Sequence, residues 1–277
     1  MTVFKIVSKE MKALPPCRTL SKEFSSNWSG ILLIDGKFVK VKGFKKKIPF
    51  IYCIDYLTHD IPTGGLFLSE SKSSFEKIFG ELQEMSYPLR MVVGDDSGSL
   101  KSAQNMRFPG IPFQLCQTHY LENVRRTLGI RREERYLPFF LEFRSVFKRD
   151  LLKEERVGIL KNLRKRYPVI ILESIILDLW RHYDELFAYD GISGMSPHSN
   201  NLIESYNSHL NGRLKTVKGF ESFGGGERWL NAWMLRRRVK PLTDCHGKFK
   251  SLNGKCPIEF SMKSGVDLED IFRFLNM

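Results

Sequence analysis

The sequence predicts an α/β fold with a central mixed sheet that is flanked by helices. Three strand-like segments follow one another between residues 30 and 70 with no helical pattern between them, which is typical of antiparallel strands. Strand and helix patterns then alternate up to residue 128, which is typical of parallel strands joined by crossover helices. From about residue 130 to 190 charged helical stretches follow without strand patterns, and they predict an all-helical insertion.

The first predicted elements are three strands with short connections. GILLIDGKFVKVK begins at Gly30, KIPFIYCIDYLT at Lys47 and GGLFLSE at Gly64, and each is apolar or alternates between apolar and polar residues. The basic segment KGFKKK and the stretch 59–65 connect them as in hairpins. This part of the chain should therefore form the antiparallel half of the sheet.

The next elements alternate between helices and strands. SKSSFEKIFGELQEM predicts a helix, because its apolar residues recur every three or four positions and a serine at its start can cap it. YPLRMVVGDD is a short buried strand, SLKSAQNM a helix, IPFQLC a strand and QTHYLENVRRTL a helix. After the insertion, NNLIESYNSHLNGRLK and ERWLNAWMLRRRVK predict two further helices.

These patterns divide the chain into five segments. They are a basic N-terminal arm or linker (1–29), the first part of an α/β core (30–129), the helical insertion (130–195), the final core helices (196–240) and a C-terminal tail (241–277).

The charge of the chain favours a polyanionic partner. Lys+Arg number 44 and Asp+Glu 31, which gives a formal net charge of +13, and the surplus is concentrated in residues 1–50 and 201–250. Basic surfaces bind phosphates strongly, because each neutralised phosphate releases counterions. Simple solubility is the alternative explanation of the charge.

Composition excludes several other classes of protein. Five widely spaced cysteines in a chain of this length do not form a disulfide framework and indicate a reducing compartment. The longest apolar runs are interrupted by acidic residues such as Asp55, Glu173 and Asp178, so no membrane span is predicted. FGGGE at 223–227 lacks the lysine and hydroxyl residue of a phosphate-binding loop, which argues against nucleotide binding.

Three acidic residues lie in positions that suit metal-dependent chemistry. Asp35 ends the apolar run ILLID, Asp95 ends RMVVGD, and Glu204 lies in a predicted helix. Side chains at neighbouring strand ends converge on one edge of an α/β sheet, and carboxylates brought together there repel one another unless a cation lies between them. Carboxylate oxygens suit Mg²⁺, so the set suggests two-metal phosphodiester chemistry. Taken singly, each aspartate also fits a turn and Glu204 a solvated helix face.

Four motifs in order resemble the DDE transposases of the Mutator-like superfamily, including its bacterial insertion-sequence branch. LLIDGKFVKVKG resembles the strand of the first catalytic aspartate, and MVVGDDSGSLKSAQNMRFPG the segment of the second, with Asp96 in place of the usual glycine. FQLCQTHYLENVRR resembles the Cys-x-x-His segment that follows, and NNLIESYNSHLNGRLKTVKGF the helix with the catalytic glutamate. The resemblance covers roughly residues 28–240 and implies a ribonuclease H-like core.

The resemblance implies a function and a set of site residues. Asp35, Asp95 and Glu204 would be catalytic and would hold two Mg²⁺ or Mn²⁺ ions, with Asp96, Cys116, His119 and Asn201 as possible active-site neighbours. The partner would be double-stranded DNA, both transposon ends and target, which a homodimer would cut by hydrolysis and join by strand transfer. We expect no membrane and no small-molecule substrate, and a cytoplasmic location with chromosomal DNA in a prokaryotic cell.

Alternatives remain at this point. The chain could be a ribonuclease H-like nuclease or resolvase without strand transfer, or a non-catalytic DNA-binding protein derived from a transposase. Cys116 and His119 have a spacing that zinc ligands use, although a packed or DNA-contacting role is favoured because no second pair is convincing. A Cys-His protease dyad is disfavoured, because no orienting partner is evident.

Basic residues near the predicted site are candidates for DNA contact, although a solvated or amphipathic helix end explains some of them equally well. The candidates are Lys37, Lys45, Lys46, Lys47, Arg125, Arg126, Arg213, Lys215, Arg236, Arg237 and Arg238. Transposases of this type normally carry an N-terminal domain that reads the transposon ends. Because only 29 residues precede the first strand, we expect that domain to be missing or separately encoded.

Overall fold

The computed structural model describes residues 9–132, 134–192 and 196–276. The chain divides into two compact units. Unit 1 comprises Met1–Pro112 and Asn200–Met277, and unit 2 comprises Phe113–Ser199.

The sheet of unit 1 is mixed, as predicted. Its strands are β1 (Ile31–Val39), β2 (Ile48–Asp55), β3 (Gly64–Leu66) and β4 (Met91–Gly94), in the order β3-β2-β1-β4. β1 and β2 pair antiparallel, as do β2 and β3, whereas β1 and β4 run parallel. Every residue of β2 and β4 is buried, so the centre of the sheet is covered on both faces. This arrangement confirms the α/β class with a mixed sheet.

Helices of unit 1 lie before, between and after these strands. They are α1 (Cys17–Phe24), α2 (Lys72–Glu84) and α3 (Gly98–Arg107) in the first part of the chain. Ser71 caps α2 as the sequence suggested, since it accepts a hydrogen bond from the Ser74 amide, and Ser97 likewise caps α3 by accepting one from the Leu100 amide. α2 packs on α3.

Unit 2 is helical apart from one short strand. It contains β5 (Phe113–Leu115), α4 (Gln117–Thr127), α5 (Leu137–Arg144), α6 (Lys153–Arg166), α7 (Ile170–Arg181) and α8 (Tyr183–Leu186), with 3₁₀ turns at Glu134–Tyr136, Ser145–Phe147 and Ala188–Gly191. Phe139 and Phe143 stack in its core with their ring centroids 5.6 Å apart. The buried Arg156 forms an ion pair with Asp190, and its guanidinium lies 4.2 Å from the centroid of the Phe187 ring.

The last helices of unit 1 complete its core. They are α9 (Asn201–Val217), α10 (Phe223–Val239), α11 (Pro257–Ser261) and α12 (Leu268–Leu275), with a 3₁₀ helix at Gly247–Leu252. α9 packs on β1, and α10 packs on β3. The approach of α10 is close because Gly64 has no side chain, since a Cβ there would lie 2.8 Å from the sulfur of Met234.

Two segments have more structure than the sequence suggests. The sequence predicts an arm or linker over 1–29, yet Cys17–Phe24 is a helix whose buried residues are Cys17, Leu20 and Ser21. It predicts a tail over 241–277, yet this stretch contains a 3₁₀ helix, α11 and α12. Both segments have short apolar stripes that basic residues obscure in the sequence. The third predicted strand is also shorter than GGLFLSE, because only Gly64–Leu66 pairs with β2.

Membrane insertion finds no support in the helices of the structure. Over the described ranges, none of them combines the length and the apolar character that crossing a bilayer requires.

Candidate active site

The two predicted aspartates lie at corresponding positions of neighbouring parallel strands. Leu33 of β1 pairs with Val93 of β4, and Asp35 and Asp95 each follow two residues later. Because side chains alternate along a strand, residues with the same offset from a parallel pair point to the same face. The structure therefore brings these two carboxylates to one end of the β1–β4 pair.

The Asp35 carboxylate accepts hydrogen bonds from two neutral donors. The Gly36 amide donates to Oδ1 at 2.7 Å, and Nδ2 of Asn207 donates to Oδ2 at 2.6 Å. The Tyr52 hydroxyl in turn donates to Oδ1 of Asn207 at 3.0 Å, which fixes the orientation of that amide. A chain of buried hydrogen bonds thus runs from β2 through α9 to Asp35.

The pKa of Asp35 is raised to about 6. Burial is the largest cause, because it disfavours the charged form, and the negative charges of Asp95 and Glu70 raise the pKa further. The hydrogen bonds from Gly36 and Asn207 act in the opposite direction and only partly offset these effects. A carboxylate in this position gains from a cation placed between it and Asp95.

Helix α9 faces the two aspartates with three polar side chains at helical spacing. Nδ2 of Asn200, the N-cap residue, donates to Oδ1 of Asp95 at 3.0 Å, and Asn207 binds Asp35 as described. Glu204 is four residues after Asn200 and three before Asn207, so it shares their face of the helix. It is half-buried. The sequence-predicted acids of β1, β4 and α9 therefore share one region of unit 1.

Glu70 is a fourth acidic residue that was not predicted for this region. A Cβ at Gly36 would lie 2.1 Å from Oε1 of Glu70, so this carboxylate rests directly over the glycine that follows Asp35. Partial burial and the charge of Asp95 raise the pKa of Glu70. Its only signal in the sequence is that it ends the predicted third strand, GGLFLSE.

The predicted neighbours of the three acids have different surroundings. Asp96 is exposed, and its Oδ1 lies 2.7 Å from Nζ of Lys101, so Asp95 is the aspartate of this pair whose charge acts on Asp35. Asn201 is exposed at the start of α9. In unit 2, Cys116 is buried at the N-cap of α4, and His119 lies in the first turn of that helix.

Most candidates for DNA contact lie at the surface. In unit 1, Lys37 and Arg237 are half-buried, and the exposed candidates are Lys45, Lys46, Lys47, Arg213, Lys215 and Arg236. In unit 2, Arg125 and Arg126 lie in the last turn of α4. Exposure is compatible with phosphate contact and does not by itself demonstrate it.

The prediction that Arg238 contacts DNA is wrong. Its side chain is fully buried and forms a bidentate ion pair with Asp60, in which the Nε–Oδ1 and Nη2–Oδ2 distances are both 2.8 Å. Its other donors bind the Cys17 carbonyl and the Ser21 hydroxyl on α1. A guanidinium with these partners has no route to a phosphate, because exposing it would leave Asp60 buried without its cation.

Comparison with known proteins points to one family. The family model "Transposase, Mutator family" matches residues 61–234, which is more than half of the chain. The matched range contains Asp95 and Glu204 and begins after Asp35. A search of curated proteins gave no match.

Proposed function

The chain belongs to the Mutator family of transposases, and from this premise we propose that unit 1 cuts DNA at transposon ends and joins the cut ends to target DNA. The observation that carries the proposal is the convergence of Asp35 and Asp95, each two residues beyond the last pair of β1 and β4, with Glu204 on the helix face that binds both. In this proposal, hydrolysis of a phosphodiester leaves a 3′-hydroxyl. That hydroxyl then attacks a target phosphodiester at the same site.

The donor set fits divalent cations. Asp35 has a raised pKa because it is buried near other negative charges, and a divalent cation would relieve that repulsion. Carboxylate oxygens are the ligands that Mg²⁺ and Mn²⁺ prefer. We therefore propose that Asp35, Asp95 and Glu204 hold two such ions. Bound there, the ions would supply activation of the attacking oxygen and stabilisation of the leaving oxygen.

The remaining side chains of the site orient the acids. Asn207 holds one oxygen of Asp35 and is itself fixed by Tyr52, while Asn200 holds one oxygen of Asp95. Because these partners are neutral, they fix the carboxylates without supplying a competing positive charge. Rigid positioning of this kind lowers the reorganisation that the reaction would otherwise require.

Substitution of the acids by their amides tests the proposal. We expect Asp35→Asn and Glu204→Gln each to reduce Mg²⁺-dependent cleavage by about 10³-fold, because loss of metal-based stabilisation is worth several kcal/mol. Affinity for the same DNA should not fall, since the wild-type acids repel phosphates rather than bind them. The measurement uses a supercoiled plasmid that carries the DNA flanking the gene, with cut and joined products resolved on gels.

The matched control is Glu221→Gln, which neutralises an exposed glutamate that pairs with Lys42. It should cut like the wild type. Cleavage at the wild-type rate by purified Asp35→Asn or Glu204→Gln would refute the assignment of the acids. Cleavage without joined product would instead identify a nuclease, and binding without cleavage by the wild type would identify a DNA-binding protein.

A further inference from the structure

A second feature of unit 1 is a strongly basic cavity at the far end of α9. Its volume is about 90 Å³. Its walls come from the second half of α9, the end of α10 and the segment that follows α10. We call it the basic pocket and define it by its four cationic residues, Arg213, Arg236, Arg237 and Lys240.

The charges around the basic pocket are strongly unbalanced. Four cationic side chains line it against one carboxylate, that of Asp244. Oδ2 of Asp244 already lies 3.3 Å from Nε2 of His209, which also lines the pocket. Four like charges around one small cavity repel one another, and an anion that enters it relieves this repulsion.

Arg237 is a half-buried cation in the wall of the pocket. Its guanidinium lies 4.3 Å from the centroid of the Tyr206 ring, which holds the plane of the group in place. Its Nε is buried and has no hydrogen-bond partner within the described part of the chain. Planar guanidinium groups bind phosphate oxygens through paired hydrogen bonds, which the single ammonium group of lysine cannot form in the same geometry.

The pocket has room for a small anion. Its volume of about 90 Å³ is several times what one water molecule needs, and it is partly open to solvent. Together with its charge, this matches a phosphate group whose attached chain continues outside.

We propose that the basic pocket binds one phosphate of the DNA backbone. Arg213 lies nine residues after Glu204 on α9, which is about two and a half helical turns, so the pocket lies on the opposite side of the helix from the acids. The phosphate in the pocket would therefore belong to DNA outside the segment that is cut. This placement, unlike the binding of phosphate itself, rests on the proposed function.

Salt dependence of binding tests whether the residues share one phosphate. The probe is a labelled 24-base-pair duplex, measured with EDTA between 50 and 250 mM KCl. Each phosphate contact contributes about 0.9 to the slope of log K against log salt. The triple variant Arg213→Gln/Arg236→Gln/Lys240→Gln should therefore lose about 0.9 of the slope. A loss near 2.7 would indicate three independent surface contacts and no loss would indicate none, and either result overturns the proposal.

Two controls accompany this measurement. Arg273→Gln removes a charge of similar exposure on α12, and it should leave the slope unchanged. Inorganic phosphate should raise the Tm of the wild type above the value in KCl of equal ionic strength. The single variant Arg236→Gln, whose side chain is exposed, should lose most of that shift. An equal rise of the Tm in the wild type and in Arg236→Gln contradicts phosphate binding in the pocket. This outcome can be read even if the triple variant folds poorly.

Cleavage of modified DNA tests this placement. Neutral methylphosphonates placed about two to six nucleotides from the cut bond should slow the wild type and the triple variant by the same factor, since those phosphates do not enter the pocket. A smaller effect in the triple variant at any of these positions refutes the placement. A smaller salt slope in the triple variant, together with no cleavage by the wild type, supports the pocket and refutes the proposed function. Cleavage by the wild type with an unchanged slope in the triple variant supports the proposed function and refutes the pocket.

Discussion

Two aspartates of unit 1, the fully buried Asp60 and the half-buried Asp35, have opposite surroundings. Asp60 is completely buried, and each of its oxygens accepts a hydrogen bond from Arg238 at 2.8 Å. The Ile61 amide and the Ser261 hydroxyl also donate to it. The chain thus supplies Asp60 with a full positive charge and with partners for both oxygens, as a buried carboxylate requires.

Asp35 receives no comparable cation among the hydrogen bonds described for it. Its donors are the neutral amides of Gly36 and Asn207, while Asp95 and Glu70 are near enough to raise its pKa. The comparison shows that burial alone does not distinguish a structural acid from a candidate ligand acid. Neutral donors do not distinguish them either, because the fully buried Asp55 accepts hydrogen bonds from Ser29, Thr58 and Tyr87. What sets Asp35 apart is the negative charge of Asp95 and Glu70 beside it, and we propose that a bound ion compensates that charge as Arg238 compensates Asp60.

The largest expected effect on stability is that of breaking the Asp60–Arg238 pair. Arg238→Met should lower the free energy of unfolding by about 3–5 kcal/mol, because it leaves a fully buried carboxylate without its cation. Urea unfolding at pH 7.5, followed by far-UV circular dichroism, measures this. The double variant Asp60→Leu/Arg238→Met should recover much of the loss, since both charges are then gone. A single variant as stable as the wild type would mean that Asp60 does not depend on Arg238.

In the absence of divalent ions, we expect Asp35→Asn to raise the free energy of unfolding rather than lower it. The folded-state pKa of Asp35, about 6, lies above the ordinary value of 3.8, so the folded state holds its proton more tightly than the unfolded state. Wild-type stability should therefore fall as pH rises from about 4 to 6 and stay lower above that range. Because asparagine does not titrate, the variant does not lose this stability, which is roughly 1–3 kcal/mol.

Thermal unfolding in EDTA at pH 4 and pH 7.5 measures this effect. The variant should match the wild type at pH 4 and exceed it at pH 7.5, because the Asn207 amide can reverse to accept a hydrogen bond from the new side chain. Addition of Mg²⁺ should then stabilise the wild type and leave the variant unchanged. A variant less stable than the wild type at pH 7.5 in EDTA would place Asp35 with the structural acids.

The two regions also differ in how far the sequence predicts them. Asp35 and Asp95 end apolar runs; in the structure Asp95 follows the end of β4, whereas β1 continues past Asp35 to Val39. The helix that bears Glu204 also follows from a local pattern, whereas the matched register of β1 and β4 joins residues about 60 positions apart and could not be predicted in this way. Local order of this sort is what hydrophobic periodicity reports.

The Asp60–Arg238 pair depends instead on residues 178 positions apart, and no local pattern joins them. The basic run at the end of α10 suggested solvent or DNA, because arginine is exposed by default. A signal was nevertheless present: Arg238 lies four residues after Met234 and eight after Leu230, both buried, so it shares their face of the helix. Glu70 was missed for another reason, since it approaches Asp35 only because Gly36 leaves space for its carboxylate.

The smallest expected effect is that of Tyr52→Phe, which separates positioning from charge at Asp35. This change removes the hydrogen bond to Oδ1 of Asn207, an amide that is almost fully buried, and should cost about 1 kcal/mol of stability. Because the Asn207 amide is then free to reverse, its hold on Asp35 weakens, and we expect cleavage to fall roughly three- to tenfold. Tyr167→Phe in unit 2 is the matched control, because it removes a hydroxyl that donates to Glu142 at 2.9 Å. It should leave cleavage unchanged. Equal cleavage by Tyr52→Phe and the wild type would show that Asp35 needs no support from β2, and that the contrast with Asp60 lies in charge alone.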